Sequence, residues 1–379
     1  MSERAHPPPA GAEGKALSQA MPPWQAMPKV LLHEHLDGGL RPQTLLDLCQ
    51  ARGLSVPAAD AAGLAAWVQA NADSGSLERY LTCFGLTVAA MASAEACERV
   101  AFEAAEDALA DGCVLAEFRI APLLLEPFGL AGDTAVEALL RGLRRSALPS
   151  GLIVCAMRTD PPEHTERSAR LAARFAAPSS ASSATGSAAS AAGQGVVGFD
   201  LAGAERGFPP TPHARAFAIA REAGLGLTCH AGEADDGTRV LEAAAIGASR
   251  IGHGVQIMQG NASAVAQRIA AARRLGLHFE VCPTSNVHTG TAASLAAHPI
   301  GAMVRAGLSV SCSTDNRLMS GVTLSGELQA LQRECGLSVG QIVELNRAAA
   351  NASFLPEAAR SAALLVIERW GGATPLVSK

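Results

Sequence analysis

The chain has little lysine, few aromatic residues and no closely paired cysteines. Its lysines are Lys15, Lys29 and Lys379, so arginine carries almost all of the positive charge. Aromatic residues make up 4% of the sequence, and alanine supplies much of the 49% hydrophobic fraction, so we expect helices that pack closely through small side chains. The nine cysteines show no CxxC spacing, which is typical of reduced thiols in a cytoplasmic protein.

The net charge and the lack of long apolar runs exclude further classes of protein. The formal net charge of -5 argues against electrostatic binding to nucleic acid or to an anionic membrane. No apolar run approaches the length of a membrane span, and the N-terminal stretch lacks the apolar core of a signal peptide. We therefore expect a cytoplasmic protein that acts on a small molecule, and no pattern specifies its oligomeric state.

Composition divides the 379 residues into two parts, and the second contains a low-complexity stretch. Residues 1–28 are rich in proline and are predicted to form a disordered arm. Residues 29–379 are predicted to form a single domain, because one α/β barrel routinely reaches this length. Within it, the low-complexity stretch 178–195, PSSASSATGSAASAAGQG, is predicted to be a flexible loop far from any chemistry.

Eight short segments rich in valine, leucine and isoleucine end in polar residues and are separated by helical, alanine-rich stretches. These segments are KVLLHEH (29–35), CVLAEFRIAP (113–122), GLIVCAM (151–157), VVGFDLAG (196–203), LGLTCHAGE (225–233), RIGHG (250–254), LHFEVCPTS (277–285) and LSVSCSTDN (308–316). Apolar strands that alternate with helices indicate a parallel sheet, and eight such units predict an α/β fold of the (β/α)8 or TIM barrel type. Active sites of these barrels form at the C-terminal ends of the strands, where this chain places its polar residues.

Residues 37–112 separate the first two strands by more chain than one helix needs. We interpret this excursion after strand 1 as a helical lid over the mouth of the barrel. Leu77, Tyr80, Leu81 and Phe84 fall at helical spacing within it. They could form an apolar gate, or they could simply pack their helix onto the barrel.

The stretch LLHEHLDGG places His33 and His35 on the same side of the first strand. Two imidazoles held this close would repel each other if both were protonated, and a shared divalent metal removes the conflict because it binds them neutral. His230 in TCHAGE and Asp315 in STDN supply two more ligands. Three imidazole nitrogens and one carboxylate oxygen suit one Zn²⁺ per chain, with a position left for a water whose pKa falls from about 16 to about 7.

Two further residues complete the equipment for a hydrolysis. Glu233 lies three residues beyond His230, and His253 ends the sixth segment between two glycines. A carboxylic acid in a water-poor pocket has a raised pKa and can give a proton to a substrate nitrogen. A histidine beside a metal-bound water can orient it and stabilise its ionised form. Taken singly, His253 could be a core histidine and Glu233 a helix N-cap; together with the ligands they predict a hydrolytic site.

Six motifs, in sequence order, carry a resemblance to a known family. KVLLHEHLDGGLRP, DLAGAE, HAGE, RIGHG, CPTSN and STDN resemble the adenosine deaminase family of the amidohydrolase superfamily, from about residue 28 to the end of the eighth strand. The resemblance implies a mononuclear zinc enzyme of purine salvage that converts adenosine or 2′-deoxyadenosine and water into inosine or its deoxy form and ammonia. Three alternatives stay open: a deaminase of adenine, a deaminase of a modified nucleoside, and a catalytically silent nucleoside-binding relative.

The resemblance also implies roles for individual residues. The zinc ligands would be His33, His35, His230 and Asp315. The catalytic residues would be Glu233, His253 and Asp315, with Glu233 protonating N1 of the purine and His253, together with Asp315, positioning and deprotonating the attacking water. The substrate contacts would be His35, Asp37, Gly203 and Asn316.

Asp37 and Asn316 bear on substrate choice. Asp37 would accept a hydrogen bond from a ribose hydroxyl, whereas relatives that act on free adenine tend to carry the longer glutamate at this position. Gly203 would contact the purine N3 through its backbone. Asn316 replaces an aspartate of the family pattern, and its amide can donate to N7 at any pH. A nucleotide would call for a cationic phosphate cradle, which a chain with no lysine between residues 30 and 378 does not obviously offer, although arginines could serve.

Overall fold

Eight parallel strands form the centre of the structure, a computed structural model that describes residues 24–177 and 195–373. The strands are β1 (Lys29–His35), β2 (Cys113–Ile120), β3 (Ser150–Met157), β4 (Val196–Ala202), β5 (Gly226–Ala231), β6 (Arg250–His253), β7 (His278–Val281) and β8 (Ser309–Cys312). Each strand pairs in parallel with the next, in chain order. Each of the eight predicted segments contains one strand, and the predicted (β/α)8 barrel is confirmed.

Helices surround the strands. In chain order, α1 to α16 are Pro42–Ala51, Ala61–Ala72, Leu77–Thr82, Phe84–Met91, Ala94–Ala110, Gly132–Arg144, Pro162–Arg174, Ala214–Glu222, Arg239–Ala245, Ala262–Leu275, Pro283–His288, Ile300–Arg305, Arg317–Ser320, Leu324–Arg333, Val339–Ala352 and Glu357–Ala373. Several begin at a residue whose side chain accepts a hydrogen bond from a free backbone N–H, as Asp60, Ser76 and Ser93 do before α2, α3 and α5. No described helix is alone long and apolar enough to cross a membrane; by length and composition only, the bent pair Leu77–Met91 and Ala94–Ala110 would pass.

The barrel closes where β1 meets the residues that follow β8. The backbone N–H of His35 donates to the carbonyl of Asp315 (2.7 Å), and the N–H of Asp315 donates to the carbonyl of His33 (2.9 Å). Lower in the barrel, the N–H of Val30 donates to Oδ1 of Asn346 in α15 (3.0 Å). The closure therefore places Asp315 directly beside the two histidines of β1.

The long segment between β1 and β2 divides into two parts. Helix α5 packs against α6 and β2 in the outer layer of the barrel. Helices α3 and α4 lie instead over the C-terminal ends of the strands, where Leu77, Tyr80, Leu81 and Phe84 all line one cavity. The part of 37–112 that covers the barrel mouth thus includes α3 and α4, and α5 belongs to the barrel wall.

The two segments predicted to be disordered lie mostly outside the described residues, which begin at Trp24 and omit 178–194. Residues 24–26 form a 3-10 helix, and the Trp24 side chain is buried. The ammonium group of Lys29 donates to the carbonyls of Trp24 (2.6 Å) and Met27 (2.9 Å). Among the described residues, the packed part of the chain therefore starts five residues before the expected boundary at Lys29.

Five charged side chains from four strands fill the interior of the barrel. Arg119 of β2 donates to Asp200 of β4 (2.9 Å) and to Glu280 of β7 (2.5 Å), while Arg250 of β6 donates to Glu280 (2.5 Å) and to Glu117 (2.6 Å). All five are almost fully buried. Burial alone would raise the pKa of Glu280, but Arg119 and Arg250 hold it well below its usual range. We call these five residues the barrel ion cluster.

We expect Arg119→Leu to destabilise the protein strongly. The substitution leaves Asp200 and Glu280 buried without their shared cation, and breaking a buried pair in this way typically costs about 3–5 kcal/mol. The measurement is the free energy of unfolding in denaturant, with a chelator present so that both proteins are compared without metal.

The matched control is Arg174→Leu, because Arg174 and Asp133 form an ion pair in which each side chain is 54% exposed. Its loss should cost less than about 1 kcal/mol. Equal losses for the two variants would show that the barrel ion cluster does not hold the barrel together.

Candidate metal centre and catalytic pocket

The four predicted metal ligands meet at the C-terminal end of the barrel. His33 and His35 come from β1, His230 from β5, and Asp315 from the loop after β8; one possible ligand atom from each lies within 4.8 Å of the others. The Nε2 atoms of His35 and His230 are 3.2 Å apart, and Nε2 of His33 is 3.3 Å from Oδ1 of Asp315. Folding thus brings together residues as distant in the sequence as His33 and Asp315, which are 282 positions apart.

The chemistry of these four groups fits one divalent cation. Burial lowers the pKa of His35 well below its ordinary value and lowers that of His230, so both rings are neutral and offer a lone pair. Burial would raise the pKa of Asp315, but its interactions with His33 and the other imidazoles around it hold that pKa well below its usual range. The buried Nε2 of His33 has no hydrogen-bond partner among the described residues. Three imidazole nitrogens and one carboxylate oxygen are a donor set that Zn²⁺ accepts.

The barrel ion cluster decides which nitrogen each histidine presents. Nδ1 of His33 lies 2.9 Å from Glu280, and Nδ1 of His230 lies 3.0 Å from Asp200. A carboxylate accepts the N–H at this position, so the lone pair of each ring is on Nε2, which faces the centre of the site. Asp200 belongs to the DLAGAE motif, although the sequence predicts no role for it, and Glu280 belongs to none of the six motifs.

The backbone is strained at two of the predicted catalytic residues. His253 (φ 60°) and Asp315 (φ 59°) are the non-glycine residues with positive φ in the described part of the chain. Such conformations cost about 1–3 kcal/mol each and persist only where surrounding contacts hold them. For Asp315 these contacts include the hydroxyl of Ser285, which donates to Oδ2 (2.6 Å). Gly252 allows the close approach beside His253, because a Cβ there would lie 3.1 Å from Cε1 of His33.

A chain of hydrogen bonds sets the tautomer of His253. The N–H of Ile300 donates to Nδ1 of His298 (3.1 Å), so the proton of that ring is on Nε2, which donates to Oδ1 of Asn286 (3.1 Å). The amide nitrogen of Asn286 then donates to Nδ1 of His253 (3.0 Å). Burial lowers the pKa of His253 well below its usual value. The ring is therefore neutral and carries its proton on Nε2, 3.5 Å from the Glu233 carboxyl.

Glu233 lies on the loop that follows β5 and is 4% exposed. Burial, the charge of Asp315 and the charge of Glu205 raise its pKa well above the ordinary value for glutamate. The protonated form of the carboxyl group is therefore favoured, and in that form it can act as a proton donor.

A cavity of about 490 Å³ lies between the barrel and α3–α4. Its polar lining comprises the predicted site residues other than His33, namely His35, Asp37, Gly203, His230, Glu233, His253, Asp315 and Asn316. Its apolar lining comes from α3, α4, residues 121–128 and the ends of β3 and β4, and it includes Leu77, Leu81, Phe84, Val88, Leu124 and Phe128. No lysine or arginine is among the described residues that line it. Its size and mixed lining are typical of a small-molecule site.

Two polar atoms in this cavity have no hydrogen-bond partner within the described protein. They are Oδ1 of Asp37 and Oδ1 of Asn316, both on nearly buried side chains. Burial raises the pKa of Asp37 to about 7. Gly38 makes room for the asparagine, because a Cβ at Gly38 would lie 1.8 Å from Oδ1 of Asn316. Gly203 has a φ of 97°, so a side chain there would strain the backbone.

We expect Asp200→Asn to weaken metal binding. The neutral amide oxygen of asparagine accepts the Nδ1–H of His230 more weakly than the carboxylate does, and weakening of such a partner typically costs about 10–100-fold in metal affinity. The wild-type protein should hold about one metal ion per chain by elemental analysis.

Metal affinity is measured by competition with a chelator, on protein shown to be folded by circular dichroism. Asp133→Asn, on the surface, serves as the control and should bind metal as the wild type does. An unchanged affinity in Asp200→Asn, or two metal ions per wild-type chain, would contradict this view of the site.

Comparison with known proteins supports one family. The family model described as "Adenosine deaminase" matches residues 28–370. Over 337 residues the chain is 42% identical to the adenosine deaminase of Mycobacterium bovis (strain BCG / Pasteur 1173P2), which covers 87% of this chain and 90% of that protein. Over 349 residues it is 41% identical to the adenosine deaminase of Mycobacteroides abscessus, with 87% and 91% covered.

Solved structures share the same fold. An adenine deaminase from Arthrobacter aurescens superposes with a TM-score of 0.79 at 25% identity, over 92% of this chain and 100% of that one. A zinc-bound amidohydrolase from Burkholderia ambifaria gives 0.76 at 22%, over 92% and 91%. The N6-methyl-AMP deaminase from Arabidopsis thaliana gives 0.74 at 23%, over 93% and 98%.

Proposed function

The chain belongs to the adenosine deaminase family, and from this premise we propose that it hydrolyses adenosine and 2′-deoxyadenosine to the corresponding inosines and ammonia, as a step in purine salvage. One observation carries the proposal. A buried carboxyl group, Glu233, whose pKa is raised well above its ordinary value, lines the same cavity as the cluster of His35, His230 and Asp315. Hydrolytic deamination needs both a nucleophile and a proton donor, and this cavity brings groups for both together.

We propose Zn²⁺, one ion per chain, as the cofactor. The residues that would hold it are His33, His35, His230 and Asp315. When bound, the ion would lower the pKa of a water ligand from about 16 to about 7, which supplies hydroxide at neutral pH. A family of metal-dependent amidohydrolases and a donor set of three nitrogens and one oxygen both support this choice.

The protein groups divide the proton transfers. Glu233 donates its proton to N1 of the purine, which makes C6 electrophilic. His253 presents Nε2–H, so it donates a hydrogen bond to the oxygen of the attacking water and orients it. It has no lone pair on that nitrogen to accept a proton. Removal of the proton from water therefore falls to Asp315, a narrower division than the joint role expected from the resemblance.

The remaining polar groups select the substrate. Asp37 has a free Oδ1 that can accept a ribose hydroxyl, and Asn316 can donate its amide N–H to N7. The backbone of Gly203 lines the cavity for the contact with N3, and His35 lies on the same surface. The apolar walls formed by the lid suit the faces of a purine ring.

Two alternative substrates are less well matched by the cavity. One structural relative is named as an adenine deaminase, but the short Asp37 leaves space for a sugar. Another is named as an N6-methyl-AMP deaminase, and none of the described lining residues here is a cation that could hold a phosphate. A modified, uncharged adenine nucleoside fits the same groups as adenosine does.

A cytoplasmic location is part of the proposal. All nine cysteines are free thiols, and eight of them are buried. This use of cysteine is typical of a reducing compartment. We propose a small-molecule purine nucleoside as the partner, and the net charge of -5 argues against nucleic acid.

The test of the proposed function is an ammonia-release and absorbance assay on four compounds, each with the zinc-loaded protein. We expect adenosine and 2′-deoxyadenosine to react with kcat/KM in the range of about 10⁴–10⁸ M⁻¹s⁻¹ that enzymes show for their own substrates. For adenine, kcat/KM should be lower by at least about 100-fold, because adenine lacks the ribose contact. For AMP it should be lower by a similar factor, because the phosphate would have no cationic partner in the cavity. A preference for adenine or AMP would refute the nucleoside assignment. Release of no ammonia from any of the four would refute the proposed reaction and leave a deaminase of a modified nucleoside or a silent binding protein.

We expect Glu233→Gln to keep the metal but lose turnover. The amide fills the same space and lines the same cavity, yet it cannot donate an acidic proton to N1, and loss of such a donor typically costs about 10²–10⁴-fold in rate. Steady-state kinetics with adenosine and metal analysis of the same sample check both parts. A variant with a near-normal rate would remove Glu233 from the mechanism.

A further inference from the structure

A second buried carboxylate, Glu205, lies on the loop after β4 and is 2% exposed. It accepts four backbone N–H groups from the loop that carries Glu233. Oε1 accepts from Gly232 (2.5 Å), and Oε2 accepts from Glu233 (2.9 Å), Ala234 (2.7 Å) and Asp235 (3.1 Å). One side chain therefore accepts hydrogen bonds from four consecutive backbone N–H groups, which are the donors of a whole turn.

The same loop is held on its other flank by the residues that follow β6. The N–H of Gln256 donates to the carbonyl of Gly232 (2.8 Å), and its side-chain amide donates to the carbonyl of Glu233 (3.2 Å). Gly232 turns the chain with a φ of 68°, where a Cβ would press on Val240 at 3.0 Å. The backbone beneath the Glu233 side chain is thus fixed from both sides, and Glu205 supplies four of the bonds.

We propose that Glu205 is a positioning residue, which holds the 232–235 backbone so that the Glu233 carboxyl group reaches N1 of the substrate. The inference rests on the proposed deamination and gives a role to a residue of the DLAGAE motif for which the sequence predicted none. Glu205 does not line the substrate cavity, so it acts only through Glu233. Its charge has a secondary effect in the same direction, because after burial and Asp315 it helps to keep the Glu233 carboxyl protonated.

The competing interpretation is that Glu205 merely staples two loops and stabilises the fold. A purely structural loss would weaken every function of the pocket alike. A positioning loss would affect proton donation and leave binding of the ring intact. The experiment therefore compares turnover of adenosine with the affinity for 1-deazaadenosine, which has carbon in place of N1 and cannot take a proton there.

The variant is Glu205→Gln in the zinc-loaded protein. Its carbonyl can still accept the three N–H groups that Oε2 accepts now, but its NH₂ faces the N–H of Gly232, donor against donor. We expect kcat for adenosine to fall about 10–100-fold, as small misplacements of a reacting group do. The inhibition constant of 1-deazaadenosine should change less than about threefold, and metal content should stay as in the wild type.

Asp235→Asn is the matched control, because it removes another carboxylate from the same loop. The Asp235 side chain accepts from Arg239 (2.9 Å) and makes no contact with the Glu233 side chain among the described interactions. Its kcat should stay within about twofold of the wild type.

A double-mutant cycle tests whether Glu205 works through Glu233. In the Glu233→Gln background, adding Glu205→Gln should cost less than about threefold in kcat, because the group it positions has already lost its function. If Glu205→Gln fails to fold, Glu205→Asp keeps the charge, shortens the reach and should show the same split between kcat and 1-deazaadenosine affinity.

Three results would overturn the inference: an unchanged kcat in the single variant, a parallel loss of kcat and of 1-deazaadenosine affinity, or full additivity in the cycle. Failure of the proposed function looks different, since the wild-type protein itself would then release no ammonia from adenosine. The wild-type assay is therefore run first.

Discussion

The backbone hydrogen bonds that join Asp315 to β1 are the constraint on which the rest of the site depends. They close the barrel, and in doing so they place the carboxylate of one chain segment 3.3 Å from the Nε2 of His33. Asp315 adopts a left-handed backbone conformation to make this closure, a cost that regular strand geometry would avoid. The hydrogen bonds that close the barrel therefore also position one of the four candidate metal ligands, so the ligand cluster depends on closure of the barrel.

Buried charge connects the interior of the barrel to the chemistry at its mouth. The carboxylates that neutralise Arg119 inside the barrel also accept hydrogen bonds from the Nδ1–H groups of His33 and His230. A core of aliphatic side chains would be easier to bury, but it could not fix which ring nitrogen carries a lone pair. Asn286 and His298 do the corresponding work for His253, with hydrogen bonds in place of ion pairs. The position of the proton on each of these histidine rings is thus set by groups that do not line the substrate cavity.

Sequence patterns predicted the barrel and the meeting of the ligands because both follow from local rules. Alternation of apolar strands with helices indicates the fold, and His33 and His35 share a strand face by simple periodicity. Strand ends were less accurate: the segment predicted to run to Asn316 ends as a strand at Cys312, since Asp315 turns out of the extended conformation. The partners that orient the ligands were missed for a different reason. Glu280 and Asp200 act across the barrel, and no spacing in the sequence marks a contact between strands β2, β4 and β7.

X-ray absorption at the zinc edge of the loaded protein measures whether three imidazoles and one carboxylate bind a single ion. The account predicts a first shell of nitrogen and oxygen at about 2.0–2.2 Å, with outer-shell scattering from three imidazole rings. Sulfur at about 2.3 Å, or scattering from fewer than three rings, would contradict it.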